Sequence, residues 1–261
     1  MLLQFLQRGY GIARSAVIYH GNPLKRRRAR AFYRQFVQPG GLCFDIGAHL
    51  GDRALHFLAL GARVVAVEPQ PAPLAVLRRL VGKDPRVVLV DRAVGATAGE
   101  AELAVDPRNP TVASLSAEWR ADVARVPSFA GIEWCERVPV AVTTLDALIA
   151  EHGVPDFCKI DVEGFEGEVL AGLSAPLPAL SFEYIPAALG SALAALARLQ
   201  ALGDYRFNRS IGESMCFTAY AWCDASAITE ELRGLGRDAP SGDVYARLAS
   251  AAPIADPAAL A

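Results

Sequence analysis

The chain has 261 residues, of which 52% are hydrophobic and 21% are charged, and its formal net charge at pH 7 is −2. These values exclude disordered and fibrous proteins, and the length suits one large domain with a core of its own or two small ones. The five cysteines, an odd number without a Cys-x-x-Cys pair, argue against a disulfide framework or zinc ribbon and favour a reducing compartment.

Charge is distributed unevenly along the chain. Residues 1–44 contain eight basic residues and no acidic one, and six of the eight lie between Lys25 and Arg34. The simplest interpretation is a solvated basic helix, and the alternatives are an anionic membrane surface contacted through residues 24–34, a phosphate-rich substrate or nucleic acid. No apolar run reaches the roughly 18 residues of a membrane span, and no export signal is evident. We therefore expect a cytoplasmic protein that contacts the inner membrane face at most peripherally.

Apolar runs alternate with helical patterns in the first hundred residues. Such near-continuous apolar strands between helices are typical of a parallel sheet that is covered on both faces. In chain order the predicted elements are a basic helical preface (1–39), a strand (42–48), a helix (51–61), a strand (63–69), a helix (71–82) and a strand (86–95).

Residues 96–140 interrupt this alternation with short strand-like pieces around a polar middle. A connection of this length inside an α/β domain is usually functional, so we expect this insertion near a substrate pocket. Periodicity resumes with a helix (145–153), a strand (156–164), a short helix to Leu170, a strand (179–186), a helix (187–202) and an edge β-hairpin formed by YRFNRS and SMCFTAYAWC. The predicted domain spans residues 40–249, and residues 250–261 are expected to be a loosely ordered tail.

Candidate ligand-binding residues follow the first two strands. Ligands of open α/β sheets bind beyond the carboxyl ends of the strands. The first strand leads into Asp45, Gly47, His49 and Gly51, where the glycines allow a ligand close to the backbone and the next helix presents free N–H groups. Glu68 ends the second strand, 23 residues after Asp45, where a carboxylate can accept hydrogen bonds from both hydroxyls of a ribose.

The first loop distinguishes between two nucleoside cofactors. Nicotinamide cofactors need G-x-G-x-x-G, whereas this loop reads D-x-G-x-x-x-G. Asp45 would repel a pyrophosphate and attract a cation. A ligand with an ammonium group, a carboxylate, a ribose and no phosphate fits better, and we therefore predict S-adenosylmethionine.

A third set of polar residues ends the fourth strand. Lys159 lies within an apolar run, where it needs a carboxylate partner, and three carboxylates follow within six residues at Asp161, Glu163 and Glu166. Because this strand is expected beside the first, Asp161 and Glu163 should face the same cleft.

These motifs together carry a family resemblance. FDIGAHLG, VEP, RAVG, TTLDALI and KIDVEGFE resemble the FkbM family of S-adenosylmethionine-dependent methyltransferases over residues 40–220. The resemblance implies a Rossmann-like class I methyltransferase fold, with a seven-stranded, mostly parallel sheet whose last strand is antiparallel and with helices on both faces. It also implies O-methylation of a hydroxyl on a sugar or another natural product.

The resemblance also suggests roles for residues outside the three loops. It puts the adenine ring near Asp91, Arg92 and Ala93, at the end of the third strand. It also suggests that Ser114 and Ser116 line the acceptor pocket.

Proton removal from an acceptor hydroxyl requires a base within hydrogen-bond reach. We predict Asp161 as this base, with Glu183 as the second candidate, and expect Glu163 to orient the loop or the ammonium group of the cofactor. No metal site is expected, since the histidines are not clustered.

Two other functions remain open at this stage. The first is a catalytically silent S-adenosylmethionine-binding protein, which the intact DIGAHLG, Glu68 and Asp161 argue against. The second is a nucleic-acid methyltransferase docked by KRRRAR, which is disfavoured because only Phe32 and Tyr33 adjoin the basic run. The expected acceptor is therefore a small hydroxylated molecule such as a sugar, a glycan end or a polyketide.

Overall fold

The computed structural model describes residue 11 and residues 23–250, so most of the predicted preface and residues 251–261 of the predicted tail lie outside the described residues. The described helices are α1 Pro23–Tyr33, α2 Asp52–Ala59, α3 Pro71–Val81, α4 Ala117–Val123, α5 Leu145–His152, α6 Glu166–Ala171, α7 Gly190–Leu202 and α8 Ala225–Arg233. The described strands are β1 Leu42–Ile46, β2 Arg63–Val67, β3 Val87–Val90, β4 Ala93–Val94, β5 Gly99–Val105, β6 Glu136–Thr143, β7 Phe157–Ile160, β8 Ala179–Tyr184, β9 Tyr205–Arg209 and β10 Gly242–Leu248.

A seven-stranded sheet with the order β3-β2-β1-β7-β8-β10-β9 forms the centre of the domain. Its strands are parallel except β10, which is antiparallel to both β8 and β9. This arrangement confirms the predicted fold class. Because β1 lies between β2 and β7, the loops that follow these three strands meet at one edge.

Helices cover both faces of this sheet, as predicted. Helices α1, α2 and α3 bury their apolar residues against one face, and α5 to α8 bury theirs against the other. Thr144 begins α5 by accepting a hydrogen bond from the N–H of Ala147, and the glycine residues predicted to end α3, α5 and α7 lie directly after those helices. The apolar spacing that predicted these helices is thus the spacing of their buried faces.

The predicted third strand, residues 86–95, is two strands in two different sheets. β3 joins the main sheet, but the chain leaves it at the exposed Asp91 and Arg92, and β4 then pairs with β6. The insertion therefore builds its own three-stranded sheet in the order β4-β6-β5. The apolar run hid this break because both short strands are hydrophobic.

The predicted edge hairpin is wrong in its second strand. YRFNRS contains β9, but SMCFTAYAWC forms only isolated pairings, and the partner of β9 is β10, which the sequence analysis missed. The apolar residues of SMCFTAYAWC serve another contact, since Phe217 and Trp222 pack against the aromatic side chains of α1 and its following turn.

The described end of the basic preface shares the core of the domain. Tyr33 is fully buried, and the ring of Phe36 stacks on that of Tyr245 with the centroids 5.6 Å apart. Among the helices that the structure describes, none is both long and apolar enough to cross a membrane.

Candidate active site

The carboxyl ends of β1, β2 and β7 surround a cleft made of two adjoining cavities. Each spans about 540 Å³ including its open mouth, and both are lined by Gly47, His49, Thr111, Asp161 and Glu163. The first cavity extends to Glu68, Gln70, Arg92, Ala93 and Phe165. The second extends to Asp45, Asp52, Arg53 and Glu213. Most of the predicted site residues therefore meet in one place.

The loop after β1 brings the backbone close to the loop after β7. Gly47 has a φ of 82°, and a Cβ atom there would overlap the carbonyl oxygen of Asp161. Asp45 is buried below this loop, where its Oδ2 accepts a hydrogen bond of 2.9 Å from the N–H of Ala54. Burial raises the pKa of Asp45 to about 7. Gly51 lies outside the lining and packs against Leu77, so its predicted contact with a ligand has no support in the geometry.

Glu68 connects two loops at the bottom of the first cavity. One carboxylate oxygen accepts the N–H of His49 and the other accepts the N–H of Gln70, each at 2.8 Å. Burial raises the pKa of this carboxyl to about 7. The carboxylate thus fixes the shape of the cavity and retains lone pairs for a bound hydroxyl group.

The residues after β3 divide between the cavity and the surface. Arg92 and Ala93 line the first cavity, as expected for an adenine site. Asp91 does not, since its carboxylate is exposed and lies 3.6 Å from the guanidinium group of Arg78. The side chain of Asp91 is therefore not brought together with the other predicted residues.

Three carboxylates meet where β7 and β8 end. Carboxylate oxygens of Asp161, Glu163 and Glu183 lie within 4.8 Å of one another, although the two glutamates are 20 residues apart in the chain. Burial raises the pKa of Glu163 and of Glu183 well above the ordinary value, and the neighbouring carboxylates raise both further. Oxygen ligands of this kind also suit a hard cation such as Mg²⁺, a possibility that an argument from histidines alone overlooked.

Strained backbone conformations occur in the loops after β1 and β7. His49 and Glu163 have φ values of 47° and 54°, in the left-handed region that residues other than glycine seldom adopt. Strain of this kind persists where the surrounding structure imposes it, and it is common at functional sites. Here both strained residues line the cleft.

Lys159 is a buried cation beneath the carboxylate cluster, and the predicted carboxylate partner is present. Its Nζ lies 3.1 Å from Oδ2 of Asp161 and 2.9 Å from Oδ1 of Asp243, and it donates to the carbonyl oxygen of Ile160 at 3.2 Å. Burial alone would lower the pKa of Lys159, but Asp161 and Asp243 raise it well above the ordinary value. Lys159 therefore stays charged and holds one oxygen of Asp161.

Removing the Lys159 cation should destabilise the fold. We expect Lys159→Met to lower the free energy of unfolding by about 3–5 kcal/mol, because it leaves the buried Asp243 carboxylate without its cation. Urea denaturation measures this loss, with the exposed Lys83→Met as the matched control. A loss below about 1 kcal/mol would show that water satisfies Asp243 and that the ion pair contributes little.

Two serines of the insertion support the loops and do not line either cavity. Ser114 Oγ donates to the carbonyl oxygen of Glu163 at 2.6 Å and accepts from the N–H of Ser116 at 3.0 Å. Ser116 Oγ begins α4 by accepting from the N–H of Trp119. Ser114 thereby holds Glu163 in its strained conformation. Ser116 lines a separate cavity beside Gly164 and Phe165, and an acceptor contact of the two serines stays a prediction.

Several lining residues were not predicted. Thr111 lies between the two cavities, and Gln70 donates to the carbonyl oxygen of Pro110 at 3.0 Å. Arg53 binds Glu213 through two contacts of 2.6 and 2.7 Å. None of these residues belongs to a recognisable motif, and Arg53 and Glu213 meet only through tertiary structure.

Comparisons with known proteins give one family and several similar folds. The family model described as the methyltransferase FkbM domain matches residues 45–188, which is more than half of the chain. No curated protein matches the sequence.

Three solved structures illustrate the similarity in fold. An O-methyltransferase from Bacillus cereus in complex with SAH is 10% identical with a TM-score of 0.47, and the match covers 95% of this chain and 91% of that one. The precorrin-6y C5,15-methyltransferase from Geobacter metallireducens GS-15 is 15% identical with a TM-score of 0.43, over 84% and 87% of the two chains. Precorrin 8w decarboxylase from Methanobacterium thermoautotrophicum is 12% identical with a TM-score of 0.42, over 84% and 88%.

Proposed function

The chain belongs to the FkbM family of methyltransferases, and we propose that it transfers the methyl group of S-adenosylmethionine to a hydroxyl group of a sugar, a glycan or a similar natural product. The observation that carries this proposal is the carboxylate cluster of Asp161, Glu163 and Glu183, which adjoins the cleft that Glu68 and Gly47 line.

The polar residues that line the cleft suit S-adenosylmethionine. This molecule supplies an electrophilic methyl group on a sulfonium, and it also carries an ammonium group and a ribose. Asp45 and Glu163 are acidic residues that line the cleft, and a bound cationic group would favour the ionised form of each. Glu68 retains lone pairs for the ribose hydroxyls, while Arg92 and Ala93 line the same cavity on the predicted adenine side.

Asp161 is the base that this proposal favours. Its side chain is 36% exposed, and its Oδ2 is held by Lys159, which leaves Oδ1 available to accept the proton of an acceptor hydroxyl. An acceptor oxygen held here would be oriented for attack, which supplies much of the acceleration in methyl transfer.

Glu183 is the second candidate for the same role. Its raised pKa makes it a stronger base than an ordinary glutamate once it is ionised, and the structure gives it no ion-pair partner within the described residues. Glu163 supports the cluster from the strained loop and is favoured as a contact for the ammonium group of the cofactor.

An assay of binding and transfer tests the proposal. We expect calorimetry to detect S-adenosylhomocysteine binding without added metal, and tritiated S-adenosylmethionine to label hydroxylated acceptors in a panel that also contains amines and RNA. Labelling of RNA alone would favour a nucleic-acid methyltransferase. Binding without transfer to any member would favour a silent binding protein, and absence of binding would contradict the cofactor assignment.

A further inference from the structure

We propose that the exposed face of α1 is a docking surface for an anionic phospholipid membrane. Lys25, Arg27, Arg28 and Arg34 are exposed on this helix and its next residue, and Leu24 at its start is 75% exposed. The surface formed by residues 24–34 therefore combines positive charge with an apolar side chain at one tip. This inference concerns a region outside the two cavities and does not rest on the identity of the acceptor.

The basic surface is rigid because the opposite side of α1 is anchored. Ala29, Phe32 and Tyr33 are buried in the domain, and the ring of Phe32 contacts that of Tyr245 at 5.1 Å in an edge-to-face arrangement. Binding to a membrane would therefore order no further backbone of this helix, and the electrostatic attraction would not be offset by a folding cost.

Three of the exposed arginines of this surface have no carboxylate partner within the described part of the chain. Arg27, Arg28 and Arg34 lie in no ion pair there, while Arg53, Arg86 and Arg209 each have a carboxylate partner. The first acidic residue in the sequence is Asp45, so neighbours along the chain supply no compensating charge either. An external anion is the partner that this charge distribution fits.

A lipid surface fits this helix better than nucleic acid. Proteins that bind single-stranded nucleic acid place aromatic rings beside basic residues so that bases can stack on them. The aromatic residues next to this basic run, Phe32 and Tyr33, are buried and cannot stack. The exposed apolar residue is Leu24, whose aliphatic side chain can insert between lipid headgroups.

Vesicle sedimentation of the full chain tests the proposal. We expect binding to vesicles of phosphatidylcholine mixed with phosphatidylglycerol, weaker binding at high salt, and no binding to phosphatidylcholine alone. The variant Arg27→Gln/Arg28→Gln/Arg34→Gln should lower the partition coefficient about 100-fold, given the usual contribution of each basic residue near an anionic surface. Its buried face is unchanged, so its melting temperature should stay near that of the wild type.

A matched variant controls for net charge. Arg63→Gln/Arg79→Gln/Arg237→Gln removes three exposed positive charges elsewhere and should bind vesicles nearly as well as the wild type. Equal losses in both variants would contradict a defined surface. Absence of binding to anionic vesicles at low salt, or displacement from them by single-stranded RNA at equal phosphate concentration, would overturn the lipid assignment.

Discussion

Replacing Asp161 by asparagine is expected to slow the methyl-transfer step about 10²–10⁴-fold, the usual contribution of a general base. Asparagine has nearly the same shape but cannot take up the proton of the acceptor hydroxyl. Lys159 keeps two partners in this variant, Asp243 and the carbonyl oxygen of Ile160, so we expect the fold to persist. Single-turnover methylation and a thermal melt on the same preparation measure the two effects separately.

Glu183→Gln is the matched comparison for this experiment. A smaller loss of rate than in Asp161→Asn would leave Glu183 in a supporting role, and a larger loss would make Glu183 the base. If Asp161→Asn lowered only the melting temperature and turned over like the wild type, Asp161 would be a structural partner of Lys159. Repeating the assay with a chelator tests whether a cation held by the cluster takes part, since the three carboxylates are close enough to bind one.

Replacing Glu68 is expected to have the second large effect. Glu68→Ala should weaken S-adenosylhomocysteine binding by about 2–4 kcal/mol, because two charge-assisted bonds to the ribose are lost. The structure adds a second cause, since the carboxylate also accepts the N–H groups of His49 and Gln70, and alanine would leave both unsatisfied. Calorimetry measures the affinity, and unchanged binding would remove the ribose assignment.

The affinity should also depend on pH. Burial raises the pKa of Glu68 to about 7, so the carboxylate loses its charge as the pH falls through neutrality. If ribose binding requires the ionised form, the affinity for S-adenosylhomocysteine should fall about tenfold from about pH 8 to about pH 6. Glu68→Gln should reduce that dependence. Asp45, whose pKa is also about 7, remains in this variant and would account for any pH dependence of the affinity that is left.

The sequence predicted the parts of the fold that local patterns determine. Apolar strands, helix periodicity and terminating glycines predicted the alternating strands and helices on either side of the insertion, and the strand ends predicted most residues of the cleft. Helix α4 within the insertion was not predicted. The third strand was misjudged because Asp91 and Arg92 interrupt two apolar strands whose partners lie in different sheets. Hydrophobicity reports that a strand is buried but not which sheet buries it.

The rest of the site depends on contacts between distant parts of the chain. Asp243 is 84 residues from Lys159, in a strand that the sequence analysis did not recognise. Ser114 reaches Glu163 across 49 residues and supports the loop through its backbone oxygen. A spacing rule cannot detect such pairs, so the acidic motif predicted the location of the cluster but not the groups that hold it.

The atom that receives the methyl group distinguishes O-methylation from N- and C-methylation. We propose a reaction of the full chain with S-adenosylmethionine labelled with ¹³C in its methyl group and with the acceptor that the panel identifies, followed by carbon NMR of the purified product. We expect a methyl ether, in which the labelled carbon is bonded to the acceptor oxygen, together with S-adenosylhomocysteine. A label bonded to nitrogen or carbon, in a reaction that Asp161→Asn leaves unchanged, would contradict it.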